Sequence, residues 1–166
     1  MRRTILLIAL ASLGLSSQAA AKDSLGVFSN WAAFRDTAGS PRCYAIAKAQ
    51  GSARDYAPYA SVATWPTRNI RGQLHFRLSR RMTDDSQIVL RVGETTFELI
   101  GGGGDAWARD KSMDAAIIAA MRSASTMRVS ARSAAGGRFT DRYRLNGAAT
   151  AMDAAVVGCA SLGSER

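Results

Sequence analysis

Side chains that commonly perform catalysis are scarce in this sequence of 166 residues. It contains one histidine, His75, and two cysteines, Cys43 and Cys159. A Ser-His-Asp triad or a histidine-based metal site needs the imidazole close to a nucleophile or to further ligands. His75 instead shares the polar side of a predicted strand with Gln73 and Arg77, which indicates a solvent-exposed side chain. We therefore predict no catalytic residue, no metal site and no cofactor.

Two short motifs were further candidates for chemistry. The adjacent carboxylates Asp84 and Asp85 lie in a predicted turn, where we expect them to be solvated rather than to bind calcium or catalyse. A glycosidase pair needs only to meet in space, so a small hydrolase using carboxylates is an alternative hypothesis. The four glycines at 101–104 lack the Lys and Ser/Thr that a phosphate-binding loop requires. Asp105 follows them, and we expect a flexible loop.

The arginines provide the remaining candidate site. The chain has only three lysines, so arginine supplies nearly all of its positive charge. Arginine binds carboxylates and phosphates through a planar fork of donors. Arg128, Arg132, Arg142 and Arg144 occupy outward positions of two predicted strands. If these strands pair, the four side chains form a positive face for lipopolysaccharide phosphates, an anionic polymer or an acidic partner. The alternative is an ordinary solvated face.

The alternation of apolar and polar residues predicts which elements carry these side chains. Strands are predicted over 27–34, 43–47, 59–64, 73–79, 87–93, 95–100, 126–132 and 138–145. Helical spacing over 113–121 predicts one helix, with Asp110 or Ser112 as its cap. A second helix should begin after Asn146. Its apolar stripe contains Ala148, Met152, Ala155, Val156 and Cys159. The expected fold is mainly β, an antiparallel β-sandwich of immunoglobulin-like architecture with two short helices in its C-terminal half.

The first 21 residues have the pattern of a cleavable signal peptide. Arg2 and Arg3 precede an apolar run that is too short to span a bilayer, and small residues follow up to Ala21. We expect cleavage near Ala21, a periplasmic or secreted protein, and one domain over 22–166. Losing Arg2 and Arg3 lowers the formal net charge from +9 to about +7. The mature domain should be peripheral to a membrane at most.

Export also bears on the cysteines and on the partner. An oxidising compartment favours a single disulfide between Cys43 and Cys159, the alternative being two buried thiols. We expect no nucleic-acid partner, because such a compartment contains little nucleic acid and no aromatic-interleaved basic motif occurs. We expect an unidentified protein or an anionic envelope component. The sequence specifies no oligomeric state.

Several segments, taken in order, resemble the invasion-associated locus B family of exported α-proteobacterial proteins. The resemblance runs over about residues 27–160. It is carried by Phe28 and Trp31, Cys43-Tyr44-Ala45, Ala106-Trp107, Ala119-Ala120-Met121-Arg122, Met127-Arg128-Val129-Ser130-Ala131, Thr140-Asp141-Arg142-Tyr143-Arg144-Leu145-Asn146-Gly147 and Cys159.

This resemblance implies a β-sandwich in the periplasm or at the outer membrane, with no established catalytic residues. In some pathogens the family is linked to entry into host cells. The chain departs from the fuller pattern at Arg144, where Ser is common, and at Ala148, where an aromatic residue is common. It also has only two cysteines. The leading hypothesis is a non-enzymatic binding or interaction domain of the envelope. A purely structural envelope component is the third hypothesis, beside the hydrolase.

Overall fold

The computed structural model describes residues 22–51 and 53–163. The predicted signal peptide at 1–21 lies outside this range, and its cleavage remains a prediction. The described strands are β1 (Lys22–Phe28), β2 (Trp31–Asp36), β3 (Arg42–Lys48), β4 (Tyr59–Trp65), β5 (Ile70–Arg77), β6 (Ile88–Val92), β7 (Thr95–Gly102), β8 (Asp105–Trp107), β9 (Thr126–Arg132) and β10 (Arg138–Arg144). The α-helices are α1 (Lys111–Ser123) and α2 (Ala148–Gly158), and short 3-10 helices lie at Pro66–Arg68 and Ala160–Gly163.

The ten strands form one curled antiparallel sheet in the order β1-β2-β3-β4-β5-β8-β7-β6-β9-β10. Strand β7 connects the two parts of this sheet, because its first part pairs with β6 and its last three residues pair with β8. The curl brings β5 opposite β10, where the rings of Phe76 and Tyr143 lie 5.8 Å apart. The predicted mainly β fold with two helices in the C-terminal half is therefore confirmed, and the curled sheet is compatible with a sandwich.

One core fills the concave side of the sheet. Alternate residues of β5, β6, β9 and β10 point into it, among them the fully buried Leu74, Phe76, Leu90 and Val129. Helix α2 covers β1, β2 and β3, and helix α1 packs against β5 and α2. This inward alternation is the apolar half of the pattern that predicted the strands, so the polar half faces outward.

Helix α1 begins as its sequence predicts. The Asp110 carboxylate accepts a hydrogen bond from the Met113 amide at 2.8 Å, which satisfies an amide that has no partner within the helix. Asp114 lies in the first turn but is buried, and its carboxylate accepts the Leu74 amide at 2.8 Å. Burial raises the pKa of Asp114 above its usual value, against the lowering effect of that hydrogen bond.

Helix α2 differs from the prediction in its cap and in one core position. Gly147, rather than Asn146, is the N-cap residue, and its φ of 85° is left-handed. A Cβ at Gly147 would overlap the Phe28 carbonyl oxygen, so glycine is required there. Val156 was expected in the core but is 60% exposed, because the buried side of the helix contains Ala151 instead.

Two other predictions of local structure were wrong. The segment 27–34 is not one strand, because a tight turn at Ser29 separates β1 from β2 and gives Ser29 a left-handed φ of 56°. The glycines at 101–104 are not a flexible loop. Gly101 and Gly102 belong to β7, and the chain reverses into β8. A Cβ at Gly101 would overlap the Asp105 carbonyl oxygen, so the glycine permits this close hairpin.

A disulfide joins Cys43 on β3 to Cys159 at the end of α2, as predicted. Their Cα atoms lie 5.7 Å apart, and both residues are buried. The bridge fixes the C-terminal helix to the centre of the first strands, on the side of the sheet that forms the core. Asp141, predicted to need partners if it faced inward, is buried and accepts the Ser79 amide at 2.8 Å.

Candidate functional site

The outward face of β6, β9 and β10 is rich in arginine. Inward and outward residues alternate along these strands, and Leu90, Val129 and Tyr143 of the inward set are buried. The exposed outward set contains six arginines: Arg91, Arg128, Arg132, Arg138, Arg142 and Arg144. The sheet therefore holds these side chains on one surface while its other surface packs into the core.

The strand register places arginines directly opposite one another. Arg128 on β9 is opposite Arg91 on β6 and opposite Arg142 on β10. Arg132 is opposite Arg138. Like charges at directly opposed positions of an antiparallel pair are destabilising. This arrangement therefore lowers the stability of the sheet, and nothing in the packing of the core requires it.

Carboxylates do not compensate this charge in the part of the chain that the structure describes. Ion pairs there involve other arginines, namely Arg35, Arg42, Arg77 and Arg122. The six arginines of the outward face form no ion pair with any of the described residues. Their guanidinium groups therefore retain most of their donors for an external ligand.

A groove of about 480 Å³ lies on this face. It is lined by residues of β6, of the loop that precedes β6, of β9 and of the start of β10: Thr83, Asp85, Ser86, Gln87, Val89, Arg91, Arg128, Ser130, Ala131, Arg132 and Arg138. Four of these are arginines, and we call Arg91, Arg128, Arg132 and Arg138 the groove arginines. The loop is attached to β9, because the Arg132 amide donates to Ser86 Oγ at 2.8 Å and the Thr83 amide donates to the Arg132 carbonyl.

The groove contains part of the predicted arginine face. Arg128 and Arg132 line it, whereas Arg142 and Arg144 share the same sheet face outside the lining. The prediction omitted Arg91 and Arg138. Arg138 has the same strand parity as Arg142, so alternation alone could have identified it. Arg91 joins the site because β6 pairs with β9. This pairing could not be predicted from the sequence, since the two strands lie far apart in the chain.

Carboxylates are sparse at the groove. Asp85 is the one carboxylate among the lining residues. Glu98 on β7 lies opposite Val89, and its carboxylate accepts a hydrogen bond from Gln87 Nε2 at 3.2 Å. Asp84 and Asp85 form a turn, as predicted. Within residues 22–51 and 53–163, no group of three or more His, Cys, Asp or Glu side chains is arranged to hold a metal.

The single histidine lies in a different part of the sheet. The His75 ring stacks on Trp107 at 5.1 Å, and its Nε2 lies 3.0 Å from a carboxylate oxygen of Asp105. The other Asp105 oxygen accepts from Arg77, whose guanidinium lies over the Tyr56 ring. His75 is half-buried and paired, not the solvated side chain that alternation predicted, because its cross-strand neighbour is a large aromatic residue.

Trp31 also has a defined role in the fold. It is fully buried, and its indole N–H donates to the Arg144 carbonyl at 2.9 Å. This bond connects β2 with the end of β10, which is far from it in the order of strands. Among the described residues, no helix is both long and apolar enough to cross a bilayer.

The fold and this surface define a small, disulfide-bonded, mainly β domain with an arginine-lined outer groove. Residues 32–156 match the family model described as Invasion associated locus B (IalB) protein. Since the match covers more than half of the sequence, the chain belongs to the invasion-associated locus B family. No curated protein and no solved structure matches the chain.

Proposed function

We propose that this chain is an exported, envelope-associated, non-enzymatic domain that binds an anionic ligand in the groove. One observation carries the proposal: the groove arginines oppose one another across strands without a carboxylate partner among the described residues. This repulsion lowers the stability of the sheet, and a binding role would explain why the arginines are nevertheless present. Arginine hydrogen bonds to an anion are charge-assisted and stronger than neutral ones.

The alternatives receive less support. A glycosidase of the usual kind needs two convergent carboxylates, and Asp85 is the single carboxylate of the groove lining. A purely structural component would be served by an evenly charged surface, whereas the outward face of β6, β9 and β10 concentrates positive charge. A role in host-cell entry is compatible with binding an anionic surface component.

Export is a separate part of the proposal. It rests on the positive, apolar and small-residue regions of residues 1–21, and the buried disulfide suits an oxidising compartment. The intact mass of the protein recovered from its host envelope should lack about the first 21 residues. A mass that includes Met1 or retains the apolar run would contradict export by this route.

Binding is tested with heparin as a general anionic probe. A variant with all four groove arginines changed to serine should bind heparin at least tenfold more weakly than the wild type, because each charge-assisted hydrogen bond contributes about 1.5–3 kcal/mol. The matched control changes Arg54, Arg68, Arg71 and Arg109 to serine, which removes the same charge from exposed positions elsewhere.

The control distinguishes a site from a general effect of net charge. The control variant should keep most of its heparin affinity, and the wild-type affinity should fall as salt increases. Equal losses in the two variants would show that only net charge matters. An unchanged affinity in the groove variant would refute the proposed site. Circular dichroism of both variants should match that of the wild type, since every substituted residue is exposed.

A further inference from the structure

The groove arginines form two pairs at separate positions. Arg91 and Arg128 are cross-strand neighbours, and we call them the first pair. Arg132 and Arg138 are also cross-strand neighbours, and they are the second pair. Directly opposed residues lie roughly 5 Å apart at Cβ, so both members of a pair can contact one anionic group.

The two pairs are separated along β9. Arg128 and Arg132 lie four residues apart on the same side of this strand. At the strand rise of about 3.3 Å per residue, their Cα atoms are about 13 Å apart. A ligand with an anionic group at each end can contact both pairs at once across this distance.

The groove between the pairs is uncharged. Ser130 lies between Arg128 and Arg132, and its hydroxyl shares a hydrogen bond of 2.9 Å with the Thr140 hydroxyl. Val89 is opposite Ser130 and is partly exposed. A hydroxyl beside an aliphatic side chain suits a neutral, polar unit that has both hydroxyl groups and C–H surfaces. A sugar ring has both, and the groove volume lies in the range typical of small ligands.

The charge of each pair favours one kind of anionic group. Each pair carries two positive charges, and Arg142 lies opposite Arg128 beside the first pair. A phosphate monoester carries about −1.5 to −2 at pH 7. A carboxylate or a sulfate ester carries a single negative charge and neutralises only half of a pair. The planar guanidinium also matches phosphate oxygens with two parallel hydrogen bonds. Asp85 in the lining forms no ion pair with the groove arginines.

We infer that the groove binds a small sugar that carries a phosphate monoester at each end, one phosphate on each arginine pair, an assignment that rests on the proposed anionic-ligand site. The uncharged middle of the sugar lies over Ser130 and Val89. A long sulfated polymer would place charge over this neutral strip and gain nothing there. The assignment concerns binding only and requires no covalent step.

Isothermal titration with four sugars tests the length and the chemistry of the ligand. Trehalose 6,6′-bisphosphate has two phosphates on opposite ends of a disaccharide. Trehalose 6-phosphate has one, fructose 1,6-bisphosphate holds two on a single ring, and trehalose 6,6′-disulfate replaces both phosphates. The disaccharide bisphosphate should bind at least tenfold more tightly than each of the other three. Equal affinity for the monophosphate or the short bisphosphate would overturn the two-ended site, and equal affinity for the disulfate would overturn the preference for phosphate.

Variants of the two pairs test the placement. Changing Arg91 and Arg128 to glutamine, or Arg132 and Arg138 to glutamine, should reduce the affinity for the disaccharide bisphosphate to that for the monophosphate. The control Arg68→Gln with Arg71→Gln removes equal charge and should leave both affinities unchanged. Tight binding of the bisphosphate that neither pair variant weakens would place the ligand elsewhere and overturn the inference.

The heparin experiment separates the two proposals. If groove-dependent heparin binding is observed but the bisphosphate shows no advantage over the monophosphate, the ligand assignment fails and the anionic site stands. If the groove variant binds both probes as the wild type does, both proposals fail. Circular dichroism of every variant, compared with that of the wild type, identifies any loss of affinity that arises from unfolding.

Discussion

Replacing Arg128 by glutamine should stabilise the fold while weakening ligand binding. Arg128 is the only one of the six face arginines with an arginine directly opposite on both sides, Arg91 and Arg142. Each like-charge contact costs roughly 0.2–1 kcal/mol, so removing both should raise the free energy of unfolding by about 0.4–2 kcal/mol. Coulomb's law gives a similar scale, about 0.8 kcal/mol for unit charges roughly 5 Å apart in water. Glutamine keeps a similar side-chain length and a hydrogen-bonding end.

Urea unfolding at low salt measures this gain. With a typical urea dependence of about 2 kcal/mol per molar, the midpoint should rise by roughly 0.2–1 M. In 1 M salt the Debye length is about 3 Å, so most of the gain should disappear. Arg68→Gln is the matched control, because Arg68 is exposed and lies outside this face, and its midpoint should hardly move.

Two results would refute this reasoning. A lower midpoint for Arg128→Gln would mean that the arginine stabilises the sheet. The opposed arginines would then not repel one another, and the main argument for a functional surface would be lost. A gain that persists in 1 M salt would show that the cause is not electrostatic. The same variant should bind anionic probes more weakly than the wild type. Residues that serve binding often cost a protein stability, so their replacement can stabilise the fold while it weakens binding.

Three further predictions concern stability. Changing Cys43 and Cys159 to alanine should lower the free energy of unfolding by about 2–5 kcal/mol in urea, since a bridge spanning 116 residues constrains the unfolded chain; an unchanged midpoint would contradict it. Tyr143→Phe should raise the free energy of unfolding by about 1 kcal/mol and so raise the melting temperature, because the buried Tyr143 hydroxyl has no hydrogen-bond partner in the described chain. A lower melting temperature would reveal that the hydroxyl has a partner. Asp114→Asn should stabilise the protein at pH 7, and this advantage should shrink as the pH falls towards 4, because burial raises the pKa of Asp114 in the folded state and protonation then relieves the wild-type penalty. Urea titrations at both pH values check the last prediction, and a gain that grows on acidification would contradict it.

Elements whose signals lie within one strand or hairpin could be predicted from the sequence. The alternation over 126–132 and 138–145 predicted β9 and β10 and their outward arginines. Their pairing, which the sequence left as a condition, is present in the fold. The site is built from the same alternation, so Arg128 and Arg132 were identified without knowledge of the fold.

Features that depend on contacts distant in sequence were missed. Arg91 enters the groove only because β6 pairs with β9, and helix α1 lies between these strands in the chain. Val156 has an apolar side chain at a plausible helical spacing, but the orientation of α2 on the sheet decides which side is buried. The turn at Ser29 was hidden because the flanking residues Phe28 and Trp31 are both typical of strands.

The glycine run shows a different limit. Four consecutive glycines indicate backbone freedom, but freedom permits either a mobile loop or a very close approach of two strands. In the fold, Gly101 lies against Asp105 across the hairpin, and Gly104 lies against the Tyr56 ring. Which of these two uses the glycines serve depends on the neighbours, and the local sequence does not contain them.

The bridge between Cys43 and Cys159 also makes a covalent ring of the chain from β3 to the end of α2. Strands β6, β9 and β10, and the loop that borders the groove, all lie inside this ring. A protease that cuts once anywhere inside the ring therefore releases no fragment, and the two pieces separate only on reduction. Nicked molecules would run as one species on a non-reducing gel and could keep both arginine pairs in place. Where proteases are abundant, the groove would thus survive a cut in the loop at its border. Without the disulfide, the same cut would allow the two pieces to dissociate.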